Sequence, residues 1–224
     1  MKTAVLTGVS GGLGQAFLAK LLTRDFKVYG IGRQAGEICA KNYQFIEIDL
    51  NRPDFSRDLP KLEQVDLLIN NAGLAYLNYL ENLKIAQIDE MLMINLRASI
   101  LISQHYLKAL KKVQGRIINI GSESALKGEK QGTVYCASKF ALAGFSDALR
   151  KELAKDGVSV SILNPGPIAT NFFRHQDWQV AKAEDAHLKA SDLAQTLDYI
   201  LDLRPGIEVN EIQINPLRRV FEKK

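Results

Sequence analysis

Short apolar runs and longer amphipathic stretches alternate along the chain of 224 residues. The amphipathic stretches repeat apolar residues at helical spacing, whereas each apolar run has the length and composition of a buried parallel strand. Alternating strands and helices are typical of an α/β protein with a parallel sheet. The first predicted strand ends at Val5 and Leu6, the next cover 27–32, 43–49, 65–69, 116–121 and 158–163, and an edge strand covers 207–214. The predicted helices cover 15–24, 85–112 in two segments, 133–155 and 191–203.

Two connections are shorter than this alternation requires. Only about nine residues separate Arg33 from the strand at 43–49, which is too few for a crossover helix with two loops. The segment 53–62 has room for a short helix, and Ser191 is the expected N-cap of the last helix. Because no internal repeat, low-complexity tract or linker divides the chain, residues 1–224 are predicted to form one domain.

A glycine-rich turn joins the first strand to the first helix. Glycines at 8, 12 and 14 allow a tight turn and a close backbone approach, and the helix N-terminus offers free N–H groups and a positive dipole end to a pyrophosphate. The pattern predicts dinucleotide binding; the alternative is a plain strand-to-helix turn. The candidate residues are Gly8, Ser10, Gly11, Gly12, Leu13 and Gly14.

The end of the second strand indicates which cofactor is preferred. An Asp or Glu about twenty residues beyond the glycines would bind the ribose diol of NAD, but Gly32 and Arg33 stand there. A guanidinium can pair with a 2′-phosphate, which favours NADP(H) and leaves NAD(H) possible; a solvated surface arginine is the alternative. Asp49 and Leu50 end the third strand, where the carboxylate could accept from the adenine amino group or anchor a turn.

Three side chains later in the chain suggest proton chemistry. Tyr135 and Lys139 are four residues apart on a predicted helix, so they share one face. An ammonium beside a phenol favours phenolate and would pull the tyrosine pKa from about 10 towards neutral. Ser122, at the end of a strand, could orient a substrate carbonyl oxygen. The alternative is a surface pair on an amphipathic helix, and Asn95 is either a helix-bend residue or part of the site.

Composition narrows the other classes of function. The chain is 46% apolar and 24% charged, as in soluble globular proteins, and the net charge of +4 is dispersed without the basic block that nucleic acid requires.

No apolar run has the length of a membrane helix, and glycine follows too soon for a signal peptide, which predicts a cytoplasmic protein. Cys39 and Cys136 are expected to be free thiols, and His105, His175 and His187 are isolated, so no metal site is predicted.

Several motifs, in this order, resemble those of the short-chain dehydrogenase/reductase family. The serine precedes the tyrosine by thirteen positions, which is the spacing of that family. The resemblance covers nearly the whole chain. The matching motifs are Thr7-Gly8-Val9-Ser10-Gly11-Gly12-Leu13-Gly14, Asn70-Asn71-Ala72-Gly73, Asn95, Ser122, Tyr135-Cys136-Ala137-Ser138-Lys139 and Pro165-Gly166-Pro167-Ile168-Ala169-Thr170.

The resemblance implies a single-domain, Rossmann-like, doubly wound parallel sheet of about seven strands that binds a nicotinamide cofactor at the topological switch point. It also implies that Tyr135 is the general acid and base, that Ser122 orients the carbonyl oxygen, that Lys139 lowers the tyrosine pKa and binds the nicotinamide ribose, and that Asn95 holds a water in a proton relay. Family members often form homodimers or homotetramers through helices that correspond to 94–112 and 133–155. Further cofactor contacts implied by the motifs are Asn71, Ala72, Gly73, Pro165, Gly166, Ile168 and Thr170.

The resulting hypothesis is an NADP-dependent reductase or dehydrogenase that acts on a small carbonyl or alcohol. A mixed, aromatic stretch within 171–190 is interpreted as a substrate lid, with an ordinary surface helix as the alternative. A regulator that senses NADP without turnover is the competing class of function, and an epimerase of the same superfamily usually needs a larger substrate domain. The candidate pocket residues are Ala75, Tyr76, Glu123, Gln131, Ile168, Phe172 and Trp178.

Overall fold

Seven parallel strands form the central sheet of the computed structural model, which describes residues 1–174 and 176–224. The strands in the described residues are β1 (Lys2–Thr7), β2 (Phe26–Gly32), β3 (Tyr43–Glu47), β4 (Leu67–Asn70), β5 (Arg116–Ile120), β6 (Ser159–Pro165), β7 (Trp178–Val180), β8 (Glu211–Ile214) and β9 (Phe221–Lys223). Their order in the central sheet is β3-β2-β1-β4-β5-β6-β8, and the direction of winding reverses between β1 and β4. This is the predicted doubly wound sheet, and its fold class is confirmed.

Helices cover both faces of the sheet. The α-helices in the described residues are α1 (Gly12–Thr23), α2 (Ile85–Leu92), α3 (Ala98–Val113), α4 (Thr133–Leu153) and α5 (Ala190–Asp202). Successive strand residues point to opposite faces, so Val5 and Ile117 pack under α3 and α4 whereas their neighbours Leu6 and Ile118 pack under α1 and α5. In the described part of the chain, no helix is both long and apolar enough to cross a membrane.

The two short connections have little helix, as their lengths predicted. The residues between β2 and β3 form turns and bends, and the segment expected to be a short helix at 53–62 contains one 3₁₀ turn, Phe55–Asp58. The predicted cap at Ser191 is wrong. The N-cap of helix α5 is Lys189, two residues before Ser191, and the Asp192 carboxylate accepts the Lys189 N–H at 2.8 Å.

Candidate active site

The glycine turn lies at the switch point of the sheet. Gly8 has a φ of +69°, a left-handed conformation that favours glycine. A Cβ at Gly14 would overlap the carbonyl oxygen of Gly8, so α1 can start this close to β1 only without a side chain there. Ser10, Gly11 and Gly12 are exposed, and the first N–H groups of a helix have no intrahelical partner. The exposed turn therefore fits a phosphate.

Thr7 fastens the Asn-Ala-Gly motif to this turn. Its hydroxyl oxygen accepts the N–H groups of Asn71 and Ala72, each at 2.9 Å. The Asn71 amide in turn donates to the carbonyl oxygens of Thr7 at 2.9 Å and Gly8 at 3.2 Å. Sequence reasoning missed the role of Thr7; the available signal was a hydroxyl as the last residue of an otherwise apolar strand.

The loop after β6 reaches the same place. A Cβ at Gly12 would lie 2.9 Å from the Thr170 methyl group, and the Gly166 N–H donates to the carbonyl of Ile214 at 2.7 Å. Pro165 is the last residue of β6 and is buried. Ile168 differs from its neighbours, because it pairs with Leu188 and packs against the core under α5. The structure thus brings Thr170 to the glycine turn, whereas Ile168 packs away from the cluster that contains Tyr135.

Ser122 is held by a buried asparagine that sequence reasoning missed. The Ser122 N–H donates to the Asn164 side-chain oxygen at 3.1 Å, and the Asn164 amide donates to Glu211 at 2.8 Å. The Ser122 hydroxyl also accepts the N–H of Ser124 at 3.1 Å. Asn164 ties the loop after β5 to β6 and β8, and so fixes the direction of the serine. Its only sequence signal is a polar residue in a buried strand.

Tyr135 and Lys139 lie beneath this loop on the first turns of α4. Both side chains are buried, and the Lys139 ammonium donates to the carbonyl of Ile120 at 2.8 Å. It lies 5.8 Å from the centroid of the Tyr135 ring. The tyrosine also forms a hydrogen bond with Ser122. The structure therefore brings together the three side chains that the sequence separates by up to seventeen positions.

Burial dominates the electrostatics of this pair. Desolvation raises the pKa of Tyr135 to about 12, and the hydrogen bond with Ser122 offsets this only in part. Desolvation also lowers the pKa of Lys139 to about 8. The expectation that Lys139 alone would pull the tyrosine pKa towards neutral is therefore wrong for the isolated protein. The Tyr135 phenolate and the Lys139 ammonium would both lose hydration in this buried site.

The low pKa of Lys139 predicts a stability gain from removing its charge. Because the folded-state pKa of about 8 is below the usual 10.5, the unfolded chain binds this proton more tightly, and the buried ammonium lowers the free energy of unfolding. This destabilisation is complete below pH 8 and absent above pH 10.5. Lys139→Met should raise the free energy of unfolding at pH 7 by about 2 kcal/mol, after allowing about 1 kcal/mol for the lost hydrogen bond. Urea titrations at pH 7 and 10.5 measure the difference.

The matched control is Lys108→Met, which removes an exposed lysine from α3. It should change the free energy of unfolding by less than about 0.5 kcal/mol at either pH. A loss of stability in Lys139→Met at pH 7 would mean that the buried ammonium is stabilised by its surroundings, contrary to this account.

Asn95 is both a helix-bend residue and a part of this centre. It sits in a π-helical turn, Met93–Arg97, between α2 and α3. Its amide accepts from the Leu74 N–H and donates to the Leu74 carbonyl, both at 2.9 Å, and donates to the Ser138 hydroxyl at 3.1 Å. A Cβ at Gly73 would lie 3.4 Å from Asn95 Oδ1 and 3.6 Å from Lys139 Nζ. The side chain of Asn95 thus positions Leu74 and α4.

The candidate adenosine-side residues have different surroundings. Arg33 follows β2 and is exposed. The pKa of Tyr76 is raised by its hydrogen bond to Glu90 and by burial, and Arg33 and Arg174 oppose that shift, which places Arg33 near Tyr76. Asp49 accepts the N–H of Asn51 at 3.0 Å, so it does anchor a turn, and Leu50 is buried in the core.

A cavity of about 710 Å³ is lined in part by Tyr76, Leu77 and Leu83, which pack against the cluster that contains Tyr135. Of the predicted pocket residues, Tyr76, Gln131 and Trp178 line it. Ala75 packs in one cluster with Tyr135, and the ring of Phe172 lies 6.1 Å from the tyrosine ring. Glu123 forms an ion pair with Arg219, and burial raises its pKa while Arg219 opposes that shift. The other lining residues are Leu77, Asn78, Leu83, Gln87, Gln176 and Asp177.

The family model of the short-chain dehydrogenases matches residues 2–180. The chain belongs to this family of oxidoreductases, as the motifs indicated. Two relatives extend the match. An uncharacterized oxidoreductase of Staphylococcus saprophyticus is 30% identical over 232 residues, covering 96% of this chain and 97% of the relative. A 3-oxoacyl-[acyl-carrier-protein] reductase of Buchnera aphidicola is 34% identical over 183 residues, covering 76% of this chain and 75% of the relative.

Solved structures share the fold. An alcohol dehydrogenase from the archaeon Thermococcus sibiricus, complexed with 5-hydroxy-NADP, has a TM-score of 0.85 at 23% identity, covering 98% of this chain and 99% of that one. A 3-ketoacyl-(acyl-carrier-protein) reductase from Brucella melitensis, complexed with NADH, has a TM-score of 0.86 at 20% identity, covering 98% of each chain. At these identities the likeness concerns the fold.

Proposed function

We propose that this protein transfers a hydride between NADP(H) and a small carbonyl or alcohol substrate. The observation that carries the proposal is the meeting of Ser122, Tyr135 and Lys139 at the carboxyl ends of the strands, beside an open glycine turn. In open α/β sheets this edge is where ligands bind. Gly73 supports the placement, because it lies against both Asn95 and Lys139.

Each side chain has a distinct role in this proposal. The nicotinamide, when bound, supplies the hydride. Ser122, directed by Asn164, donates a hydrogen bond to the carbonyl oxygen, and Tyr135 protonates that oxygen in reduction or accepts its proton in oxidation. Lys139 holds the ribose of the bound cofactor. It also supplies a proton to Tyr135 after Tyr135 has protonated the substrate oxygen. The water relay is proposed to use the backbone carbonyl of Asn95, since the side-chain amide of Asn95 is already hydrogen-bonded to Leu74 and Ser138.

The remaining cofactor contacts are proposed along one continuous cleft. The exposed residues of the turn would hold the pyrophosphate, and the Asn-Ala-Gly motif and the loop after β6 would line the path to the nicotinamide. The high pKa of Tyr135 supports a donor role in reduction, and the positive charge of an oxidised nicotinamide would favour phenolate in the reverse direction. The proposed contacts are Gly8, Ser10, Gly11, Gly12, Leu13, Gly14, Asp49, Leu50, Asn71, Ala72, Gly73, Pro165, Gly166, Ile168 and Thr170.

Preference for NADP rests on Arg33. Of the solved structures that share this fold, one is complexed with 5-hydroxy-NADP and one with NADH, so the fold accommodates both kinds of cofactor. The exposed Arg33 guanidinium stands where an acid would bind the NAD ribose, which supports a 2′-phosphate partner.

Arg33→Asp should shift the ratio of kcat/KM for NADPH over NADH by about 100-fold towards NADH, because it removes a cation and adds a like charge beside the phosphate. Steady-state kinetics with each cofactor measure the ratio. Arg57→Asp makes the same charge change at another exposed site and should leave the ratio unchanged. An unaltered ratio in Arg33→Asp would remove this residue from cofactor selection.

A panel of ketones and aldehydes separates an enzyme from a sensor. An NADP-sensing regulator would bind NADPH without oxidising it with any member, whereas the proposed reductase oxidises it with at least one. Assembly as a homodimer or homotetramer through α3 and α4 is part of the proposal, and the exposed Phe140 on α4 supports it.

A further inference from the structure

The last part of the chain runs along the aromatic segment near the active site. We call residues 215–224 the strap and residues 171–174 with 176–190 the substrate-side segment; His175, which the predicted lid includes, lies outside the described residues. Strand β9 of the strap pairs antiparallel with β7 of the segment. The family match ends at residue 180, so the strap lies beyond it.

Polar contacts fasten the strap at both ends. The Lys224 ammonium donates to the carbonyl oxygens of Phe173, Arg174 and Gln176 at 3.2, 2.9 and 2.7 Å. The Arg218 guanidinium forms two hydrogen bonds with the Asp185 carboxylate, at 2.5 and 2.6 Å. A bidentate pair of this kind fixes orientation as well as distance. An isolated two-stranded ribbon is marginal in water, so these contacts explain why β7 and β9 stay together.

A row of aromatic rings connects the strap with the catalytic tyrosine. Phe221 contacts Trp178 with ring centroids 4.8 Å apart, Trp178 lies 5.0 Å from Phe173, and Phe173 lies 5.2 Å from Phe172. Phe172 is 6.1 Å from Tyr135. Trp178 also lines the cavity beside the site. The position of Phe221 therefore affects the wall of that cavity through packed side chains.

The strap also reaches the opposite side of the site. Arg219 forms an ion pair with Glu123, which directly follows Ser122, and its guanidinium donates to Asn215 at 3.2 Å. The strap thus contacts both the loop that carries the serine and the segment that packs on the tyrosine. These two groups flank the position proposed for the substrate oxygen.

We propose that the strap sets substrate affinity and selectivity by holding the substrate-side segment against Tyr135, with Phe221, Arg218 and Lys224 as positioning residues. The proposal rests on the proposed function for the identity of the ligand. It gives the strap, which lies beyond the family match, a part in forming the wall of the active site. Loosening the strap should weaken substrate binding while leaving the proton-transferring groups, and therefore kcat, nearly unchanged.

The single tryptophan of the chain is Trp178 of the substrate-side segment, and its contact with Phe221 makes its fluorescence a reporter of how the strap packs. In Phe221→Ala, acrylamide quenching of tryptophan fluorescence should increase about twofold as β7 loosens. With a carbonyl found in the panel, KM should rise about tenfold and kcat should stay within about threefold. Leu217→Ala is the matched control, since Leu217 belongs to the strap but is 94% exposed. It should change none of the three quantities: quenching, KM or kcat.

Lys224→Met provides a second variant that keeps the aromatic row and removes three hydrogen bonds, with Lys223→Met as its control. It should increase quenching and raise KM by about threefold. Unchanged quenching in both variants would overturn the proposal whether or not the wild type reduces a carbonyl. Increased quenching with an unchanged KM would overturn it too. Absence of turnover in the wild type counts against the proposed function instead, and the quenching result then decides the strap alone.

Discussion

Tyr135→Phe is expected to lower kcat/KM for NADPH-dependent carbonyl reduction by about 1000-fold, because it removes the proposed proton donor, a phenol that lies beside Ser122. The phenyl ring keeps its packing against Phe172, so the fold and the glycine turn should be unaffected. The dissociation constant for NADPH, measured by calorimetry, should therefore change by less than about twofold. Stopped-flow measurement of NADPH oxidation quantifies the chemical step.

Tyr106→Phe is the matched control. Tyr106 belongs to α3 and is 1% exposed, and its hydroxyl has no hydrogen-bond partner among the described residues. Removing that hydroxyl should leave activity unchanged and stability equal or slightly higher. Full activity in Tyr135→Phe would take this phenol out of the mechanism, and a large loss in Tyr106→Phe would show that the assay responds to core changes in general.

Gly14→Ala should abolish cofactor binding and destabilise the protein. The new methyl group would overlap the Gly8 carbonyl oxygen, which is backbone and cannot rotate away. The turn would have to open, at a cost of about 2–4 kcal/mol in the free energy of unfolding, and the affinity for NADPH should fall by at least about 100-fold. Urea denaturation and calorimetry measure the two effects.

The same substitution in α4 should have the opposite sign. Gly144 is exposed in the helix and a Cβ there would meet nothing within 4 Å. Gly144→Ala should raise the free energy of unfolding by about 0.5–1 kcal/mol, because alanine loses less backbone entropy in a helix. If Gly14→Ala bound NADPH normally, the close packing of β1, the turn and α1 would not be needed for the cofactor site.

Local pattern was sufficient for much of this architecture. Strands β1, β2, β4, β5 and β6 were predictable because they are largely buried and contain apolar runs. The missing helix between β2 and β3 followed from loop length alone. Tyr135, Lys139 and Ser122 became candidate catalytic residues because the first two share a helix face and the third ends a strand. In each case the chemistry depends on spacing within one element or on the common edge where parallel strands end.

What sequence reasoning missed depends on long-range packing. Asn164 directs Ser122 across two strands, and its role appears only when β5, β6 and β8 are adjacent. The protonation of Tyr135 and Lys139 follows from burial, which their four-residue spacing does not reveal. The strap pairs strands of three residues from distant parts of the chain, and such short strands carry no periodic pattern.

Deuteride transfer tests the central claim most directly. NADPH carrying deuterium at the transferable C4 position is mixed with a carbonyl from the panel, and the alcohol product is analysed by mass spectrometry. The account predicts one deuterium on the carbinol carbon for each NADPH oxidised by the wild type, and formation of that product about 1000-fold more slowly by Tyr135→Phe. NADPH binding without labelled product from any carbonyl, or labelling at equal rates by wild type and Tyr135→Phe, would contradict it.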